Sequence, residues 1–271
     1  MGTGIPQGWQ SSESSYPIYD PVFSEVGVAY VVEVRISVVV LTYNGAKFLR
    51  EQLDSILSQI SSQDELIISD DGSEDGTCQI LKEYQQRYDY IRLLEGPRRG
   101  IKKNMEFALE HCRGGIIFLA DQDDVWRQDK VVKVMKAFED GSVTLLVHDA
   151  VVFEKDRSQP VMDSFFQFRS SGPGVFKNVK KNSYIGCCMA FRRELLKIAL
   201  PIPPDIEMHD QWLGVLNDYF FLPSCFLKEP LLFYRRHGEN NSGMTHYGLG
   251  RMIRNRLVFL RRFLGRIFRR K

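Results

Sequence analysis

Four short apolar runs, separated from one another by helical patterns, constrain this 271-residue chain more than any other feature. Ile36-Ser37-Val38-Val39-Val40-Leu41 is rich in β-branched residues and apolar on both faces, as suits a strand buried in a parallel sheet. Phe48, Leu49, Gln52, Leu53, Ile56 and Leu57 then recur on one side of a helix. Glu65–Ser69 is a second buried strand, Thr77–Tyr88 a helix with Ile80, Leu81 and Tyr84 inward, and Ile91–Leu94 a third strand. Ile101–Cys112 reads as a third helix and Ile116–Ala120 as a fourth strand. This alternation predicts an α/β fold with an open, twisted, mostly parallel sheet flanked by helices. Ligands of such sheets bind beyond the C-terminal ends of the strands. Three polar clusters fall there: Thr42-Tyr43-Asn44, Asp70-Asp71-Gly72-Ser73 and Asp121-Gln122-Asp123-Asp124.

The second half is less regular. Val143–Val147 and Tyr184–Phe191 read as strands, Arg193–Leu200 and Asp210–Phe221 as helices. Gly172-Pro173-Gly174 and the proline-rich stretch up to Glu207 read as loops. The expected organisation is a lead over 1–34, a main domain over 35–240 and a basic tail over 241–271. Nine Lys or Arg and no acid lie between Leu249 and Lys271, and taking those nine from the net charge of +2 leaves the rest at about −7. An acidic body with a basic tail does not suit a nucleic-acid binder, so no nucleic-acid partner is expected. The longest apolar stretch, Val26–Leu41, is interrupted by Glu33 and Arg35, which speaks against a membrane span. No Lys or Arg precedes Arg35, so a secretory leader is not expected. The five cysteines include no CxxC pair, which fits a reducing, cytoplasmic setting rather than disulfides or structural zinc.

Asp121, Asp123 and Asp124 place three carboxylates within four residues. Like charges so close raise one another's pKa unless a cation or solvent offsets the repulsion. Mg²⁺ is commonly held by one or two carboxylates plus substrate phosphates, and alternate residues at a strand end can converge on one ion. The same D-x-D also fits a solvated acidic turn. Asp70–Ser73 likewise fits an Asx turn that caps the next helix.

The order and spacing of these clusters are more specific. The runs SVVVLTYNG, ELIISDDGSEDGT and GGIIFLADQDDVWRQDK resemble the nucleotide-sugar half of family 2 glycosyltransferases, inverting enzymes with the GT-A fold and a Rossmann-like nucleotide half. YIGCCMAFRREL is similar to that family's sugar-binding segment and MHDQWLG to its catalytic-base motif. LFYRRHGENNSG resembles the Tyr-Arg-x-His-x-x-Asn segment of a rhamnosyltransferase-like branch. The resemblance spans 35–236. It implies that Thr42, Tyr43 and Asn44 meet the nucleotide, with Tyr43 stacking on or flanking the base, and that Asp71 accepts the base N3–H. Lys103 and Asn104 would lie near the nucleotide, Asp121 would bond the ribose beside Gln122, and Asp123 would bind a metal at the diphosphate. Asp124 is a further polar candidate there. Gly186 and Cys187 would approach the donor sugar, and Asp210 would be the general base. His237 would reach the diphosphate or metal, with Arg235 and Arg236 stabilising the leaving group. Two departures stand out: His209 occupies a position where the family often has Glu, and two cysteines follow Gly186.

The implied activity is transfer of a sugar, with Mg²⁺ or Mn²⁺, from a nucleoside-diphosphate donor to a hydroxyl of a lipid-linked saccharide in cell-surface polysaccharide synthesis. The Tyr-Arg-Arg-His segment points to dTDP-rhamnose, with a UDP-hexose as the alternative donor. A nucleotidyltransferase would also carry carboxylates on a sheet rim, but with a Gly-rich phosphate loop where Thr42-Tyr43-Asn44-Gly45 stands. A non-catalytic nucleotide-sugar-binding partner is a third reading, and the presence of both Asp123 and Asp210 weighs against it. In the tail, Ile253, Leu257, Leu260, Leu264 and Ile267 recur at steps of four and three, as one helix face would. Basic amphipathic helices of this kind lie on anionic membranes, which predicts a cytoplasmic enzyme peripheral on the inner face of the cell membrane. The alternative is that this face packs on the body or on a partner. His111, His148 and His246 lack metal spacing, Trp126 is expected either to line the acceptor site or to pack, and Trp212 to pack.

Overall fold

The computed structural model describes residues 35–238 and 248–269, together with the backbone of two short strands nearer the N-terminus. His246 and the rest of 239–247 lie outside the described residues. The chain divides into two compact units, Met1–Glu33 and Val34–Lys271. In the first, β1 (Val22–Phe23) and β2 (Ala29–Tyr30) pair antiparallel.

The second unit opens with β3 (Ile36–Thr42), α1 (Ala46–Leu57), β4 (Glu65–Asp70), α2 (Thr77–Arg87), β5 (Ile91–Glu95), α3 (Ile101–Glu110) and β6 (Ile116–Asp121). These strands are parallel, in the order β5-β4-β3-β6. The chain steps outward from β3 to β5 and then returns to place β6 on the other side of β3. Right-handed crossovers running in opposite directions put α1 and α2 on one face and α3 on the other. That explains why every residue of β3 is buried. Leu49, Leu53 and Ile56 of α1 and Met105, Ala108 and Leu109 of α3 join the same core. The strand order reverses between β3 and β6, and at such a switch point open sheets take ligands into the crevice beyond the C-terminal strand ends.

The rest of the unit is β7 (Val125–Trp126), α4 (Lys130–Phe138), β8 (Leu145–Phe153), α5 (Phe165–Arg169), α6 (Val175–Lys180), β9 (Met189–Arg192), α7 (Leu196–Ala199), α8 (His209–Phe220), β10 (Cys225–Arg235) and α9 (Leu249–Phe268). The sheet continues β6-β9-β8-β10-β7. β9 is antiparallel to both β6 and β8, and β10 is parallel to β8 and antiparallel to β7. The sheet is therefore mixed, as expected from the mostly parallel pattern, with β9 and β7 running against the rest.

Three segments differ in detail from the sequence reading. β8 continues through His148-Asp149 to Phe153 rather than stopping at Val147. Within Tyr184–Phe191, Gly186–Cys188 forms a 3₁₀ turn and only the end is a strand. β10 has no counterpart in the sequence reading, because Lys228-Glu229-Pro230 interrupts its apolar pattern where the register shifts between Leu227 and Leu232.

The C-terminal helix is present, with a different inner face. Phe259, Phe263 and Ile267 are buried, whereas Ile253, Leu257, Leu260 and Leu264 are exposed. Phe259 packs edge-on against Trp212 at 5.9 Å between ring centroids, and Phe263 against Tyr219 at 5.3 Å. Arg266 donates to the carbonyls of Ile198, Leu200 and Pro201, Arg262 to Asp205, and Asn255 to Glu207. Among the described residues, no helix is long and apolar enough to cross a membrane.

Candidate active site

The crevice is built by neighbouring strand ends, because Leu41 is in register with Asp121 and Thr42 with Asp70. Asp70 shapes the rim. It accepts from the Thr42 hydroxyl at 2.8 Å, the Ser73 hydroxyl at 2.6 Å, and the backbone N–H groups of Gly72 and Ser73. Asp71 is different. Its Oδ2 accepts from Gly100 N–H at 2.8 Å, while its buried Oδ1 has no hydrogen-bond partner. Gly100 makes that contact from a left-handed backbone with φ +83°. A buried carboxylate oxygen without a donor is suited to receive an N–H from a ligand.

The loop after β3 is held to the loop after β6. Gln122 accepts from Tyr43 N–H at 2.8 Å and donates to the Tyr43 carbonyl at 3.0 Å. A Cβ at position 45 would collide with the Gln122 amide and displace it from Tyr43, so glycine preserves this tie. Asn44, at φ +49°, donates its N–H to Ser73 and accepts from Glu74 N–H. The Tyr43 ring is 59% exposed beside this scaffold. Lys103 pairs with Glu106 at 2.6 Å, and the buried Asn104 amide bonds both the hydroxyl and the carbonyl of Ser69. The amides of Asn44, Gln122 and Asn104 are thus engaged by protein, while the Tyr43 ring is exposed and one Asp71 oxygen is left without a partner.

Beyond Gln122 the acidic cluster closes on itself. The Asp121 and Asp124 carboxylates and the Cys187 thiol lie within 4.8 Å of one another. Asp124 is fully buried; its Oδ1 accepts from Arg235 N–H at 3.0 Å and its Oδ2 has no partner. Burial, reinforced by Asp123 and Asp210, pushes Asp121 up to about 7. Burial and the neighbouring Asp123 and Asp121 push Asp124 well above the carboxylate range. A hydrogen bond with Cys188 and burial raise the Cys187 thiol, which stays protonated and inert. The buried Lys130 ammonium donates to the Cys187 carbonyl at 3.0 Å and lies over Trp126 at 4.0 Å, and burial lowers its pKa to about 8.

Asp123 and His237 are brought together, with Oδ2 and Nε2 2.7 Å apart. Arg235 Nε donates to the Asp123 carbonyl at 2.8 Å, and its guanidinium pairs with Glu51 and lies over Phe48 and Phe153. Phe48 also packs on His237, at 4.7 Å. Arg236 donates its N–H to the Phe153 carbonyl at 2.8 Å. Repelling buried carboxylates, one orphaned oxygen and an adjacent Asp–His pair fit a divalent cation with oxygen and imidazole ligands.

Asp210 lies in the first turn of α8, close enough to this cluster for its charge to raise Asp121. It is buried, and its Oδ1 accepts from Gln211 N–H at 2.5 Å and from Asn182 at 3.2 Å, with a further bond from Gly186 N–H. Burial outweighs these donors and pushes its pKa up to about 6. A Cβ at position 186 would stand 3.3 Å from His209 Nε2, so glycine leaves room for the His209 ring next to Asp210. His209 is buried and held neutral, its pKa lowered to about 4 by burial and by Lys102. The sequence reading passed over Lys130 and Asn182. Lys130 lies within the run that carries the acidic cluster, but nothing in a helix-start lysine signals that it turns inward.

His148, Trp126 and Trp212 are buried, and Trp212 Nε1 donates to the Ala199 carbonyl. His111 bonds the Phe107 carbonyl from its own helix.

The chain has relatives among known proteins. The chain is 27% identical to the dTDP-rhamnosyl transferase RfbG of Shigella flexneri, over 74% of this chain and 73% of that one. It is 26% identical to an uncharacterised glycosyltransferase of a Nostoc strain, over 76% of this chain. It spans about two thirds of that protein's length, 66%. Its fold matches S. aureus TarS, solved with UDP-GlcNAc, with a TM-score of 0.62 at 20% identity, over 83% of this chain and 66% of that one. The family model for glycosyl transferase family 2 matches residues 37–198, from the first core strand past the 3₁₀ turn beside Asp210. That match covers more than half of the sequence, and the chain belongs to this family.

Proposed function

We propose that the protein is a divalent-metal-dependent, inverting glycosyltransferase that moves a sugar from a nucleoside-diphosphate donor to an acceptor hydroxyl. The observation that carries this reading is the buried Asp210 carboxylate, pushed up to about 6 and close enough to the acidic cluster for its charge to raise Asp121. A group with that pKa is mostly ionised at neutral pH yet more basic than an exposed aspartate, which is what proton abstraction from a hydroxyl requires. Asp210 takes the acceptor proton as the hydroxyl oxygen attacks the anomeric carbon. The bond between that carbon and the phosphate oxygen breaks, and the configuration inverts.

On the donor side, Asp71 Oδ1 is placed to accept a pyrimidine N–H and Tyr43 to flank the base. Asp121 reaches the ribose, and the main-chain frame made by Thr42, Asn44 and Gln122 holds these groups in place. Lys103 and Asn104 support the nucleotide side from α3. Gly186 and Cys187 leave room for the donor sugar beside the base. Asp123 and His237 would hold Mg²⁺ or Mn²⁺, with Asp121 and Asp124 close by. A bound cation supplies positive charge against the diphosphate. Arg235 and Arg236 add positive charge at the same end of the crevice.

The likeness to a dTDP-rhamnosyl transferase supports dTDP-rhamnose as donor, with a UDP-hexose as the alternative. The acceptor is a lipid-linked saccharide of a cell-surface polysaccharide. The protein works on the cytoplasmic face of the membrane, held there by 249–271. Thermal shift and nucleoside-diphosphate release across dTDP- and UDP-sugars, with and without Mn²⁺, test this. Stabilisation by one donor only with metal, and slow release of its diphosphate, is expected. Equal stabilisation by all donors, indifferent to metal, would overturn it.

A further inference from the structure

Helices α6 and α9 pack on the helix that begins with Asp210. α6 is tied to α8 by Gln211 donating to the Asn178 carbonyl at 2.6 Å and by Gly174 N–H donating to Asp218 at 2.5 Å. α9 is seated on it by the Trp212–Phe259 and Tyr219–Phe263 ring contacts, and α6 and α9 also touch each other.

Away from these contacts α9 exposes Leu249, Ile253, Leu257, Leu260, Leu264 and Phe268, each between 40% and 71%. Their spacing of four, four, three, four and four residues makes one continuous apolar stripe along the helix. At 100° per residue, Arg254 and Arg261 border the stripe on one side and Arg256 on the other. α9 contains no acid, and Asp205 and Glu207 on the body are engaged by Arg262, Arg261 and Asn255. The neighbouring α6 presents Phe176, 92% exposed, with Lys177, Lys180 and Lys181 exposed around it. Residues 164–181 likewise contain no acid.

An apolar stripe of this length needs a cover. A second copy would set arginine against arginine. A bilayer with anionic headgroups takes the leucines into its interface and pairs with the flanking cations. We propose that the outer stripe of α9 and Phe176 with its lysines on α6 form one composite docking surface for an anionic membrane. This deepens the membrane reading above by naming the faces that enter the lipid. It also sets the base beside the membrane, because α6 bonds Gln211 and α9 bonds Glu207, on either side of Asp210. A lipid-linked acceptor held at the headgroups would meet Asp210 without leaving the bilayer.

The test is sedimentation of the full-length chain with phosphatidylcholine vesicles, with and without phosphatidylglycerol, in the absence of donor. Wild type is expected to bind only the anionic vesicles, more weakly as salt rises. Leu257→Glu/Leu264→Glu should weaken binding at least about 100-fold and Phe176→Glu about tenfold, with unchanged thermal unfolding. Wild-type binding by Phe176→Glu would overturn the composite surface. Equal binding to neutral vesicles would overturn the anionic preference, and a stripe-dependent dimer in light scattering would assign the stripe to a second copy. Nucleoside-diphosphate release with a water-soluble acceptor, measured on the same variants, separates the two claims. Release without vesicle binding sinks this inference and the membrane attachment it deepens while leaving the transfer chemistry standing, and vesicle binding without release sinks only the proposed activity.

Discussion

Replacing Asp210 by Asn should make the protein both inactive and more stable. Asp210 is buried, and its pKa is pushed up to about 6 from an ordinary 3.8. The native state therefore holds this proton more tightly than the unfolded chain does. The stability it contributes is fully present below pH 3.8 and is lost as pH rises through about 6. A shift of roughly two units corresponds to about 3 kcal/mol at most. Above pH 7 the wild type bears that cost, whereas Asp210→Asn, neutral and nearly isosteric, does not. Its amide oxygen can still accept from Gln211 and Gly186. Urea unfolding at pH 5 and at pH 8 measures the difference. The variant should gain on the wild type between the two pH values by a kcal/mol or more, while turnover falls about 10²- to 10⁴-fold. An identical stability difference at both pH values would refute the burial argument. Retained turnover would refute the base assignment.

Other variants probe separate parts of the account. Gly45→Ala should lower nucleotide affinity while leaving the core intact, because a Cβ there displaces the Gln122 amide that ties the two rim loops; titration calorimetry with UDP and dTDP reads this. Asp71→Ala removes the unpartnered acceptor and should weaken nucleotide binding about 10- to 100-fold, a loss absent with a ligand that lacks the base N–H. Phe259→Ala should cost about 3–5 kcal/mol in denaturant unfolding, because the ring is buried against Trp212; a loss under about 1 kcal/mol would mean that α9 is not docked.

Where burial on two faces dictated the residue pattern, the sequence was enough. β3, β4 and β6 read as strands because helices cover both sides of them, which leaves short, wholly apolar runs ending in polar clusters. The site candidates at those ends were legible for the same reason. β10 was not, because it is half-exposed and broken by Lys228-Glu229-Pro230 at an irregular register. α9 was legible as a helix but not as to its inner face. Phe259, Phe263 and Ile267 form one apolar face and the leucines another, so periodicity alone could not choose between them. The tail arginines, read as the basic side of a membrane-surface helix, in part grip the body: Arg266 caps three carbonyls of 198–201. A tail deletion would therefore uncover Trp212 and release Glu207 near the base, which makes point variants the sounder probe. Asn44, Gln122 and Asn104 show a related ambiguity, since a polar residue at a rim can hold a loop instead of facing a ligand.

The central claim is that Asp210 and the acidic rim act together in a direct, metal-assisted displacement. Proton NMR of the glycoside formed from the stabilising donor, in the presence of Mn²⁺, tests it most directly. The account predicts a single product of inverted anomeric configuration, formed by the wild type and absent with Asp210→Asn or Asp123→Ala. A product of retained configuration, or one formed equally well by either variant, would contradict it.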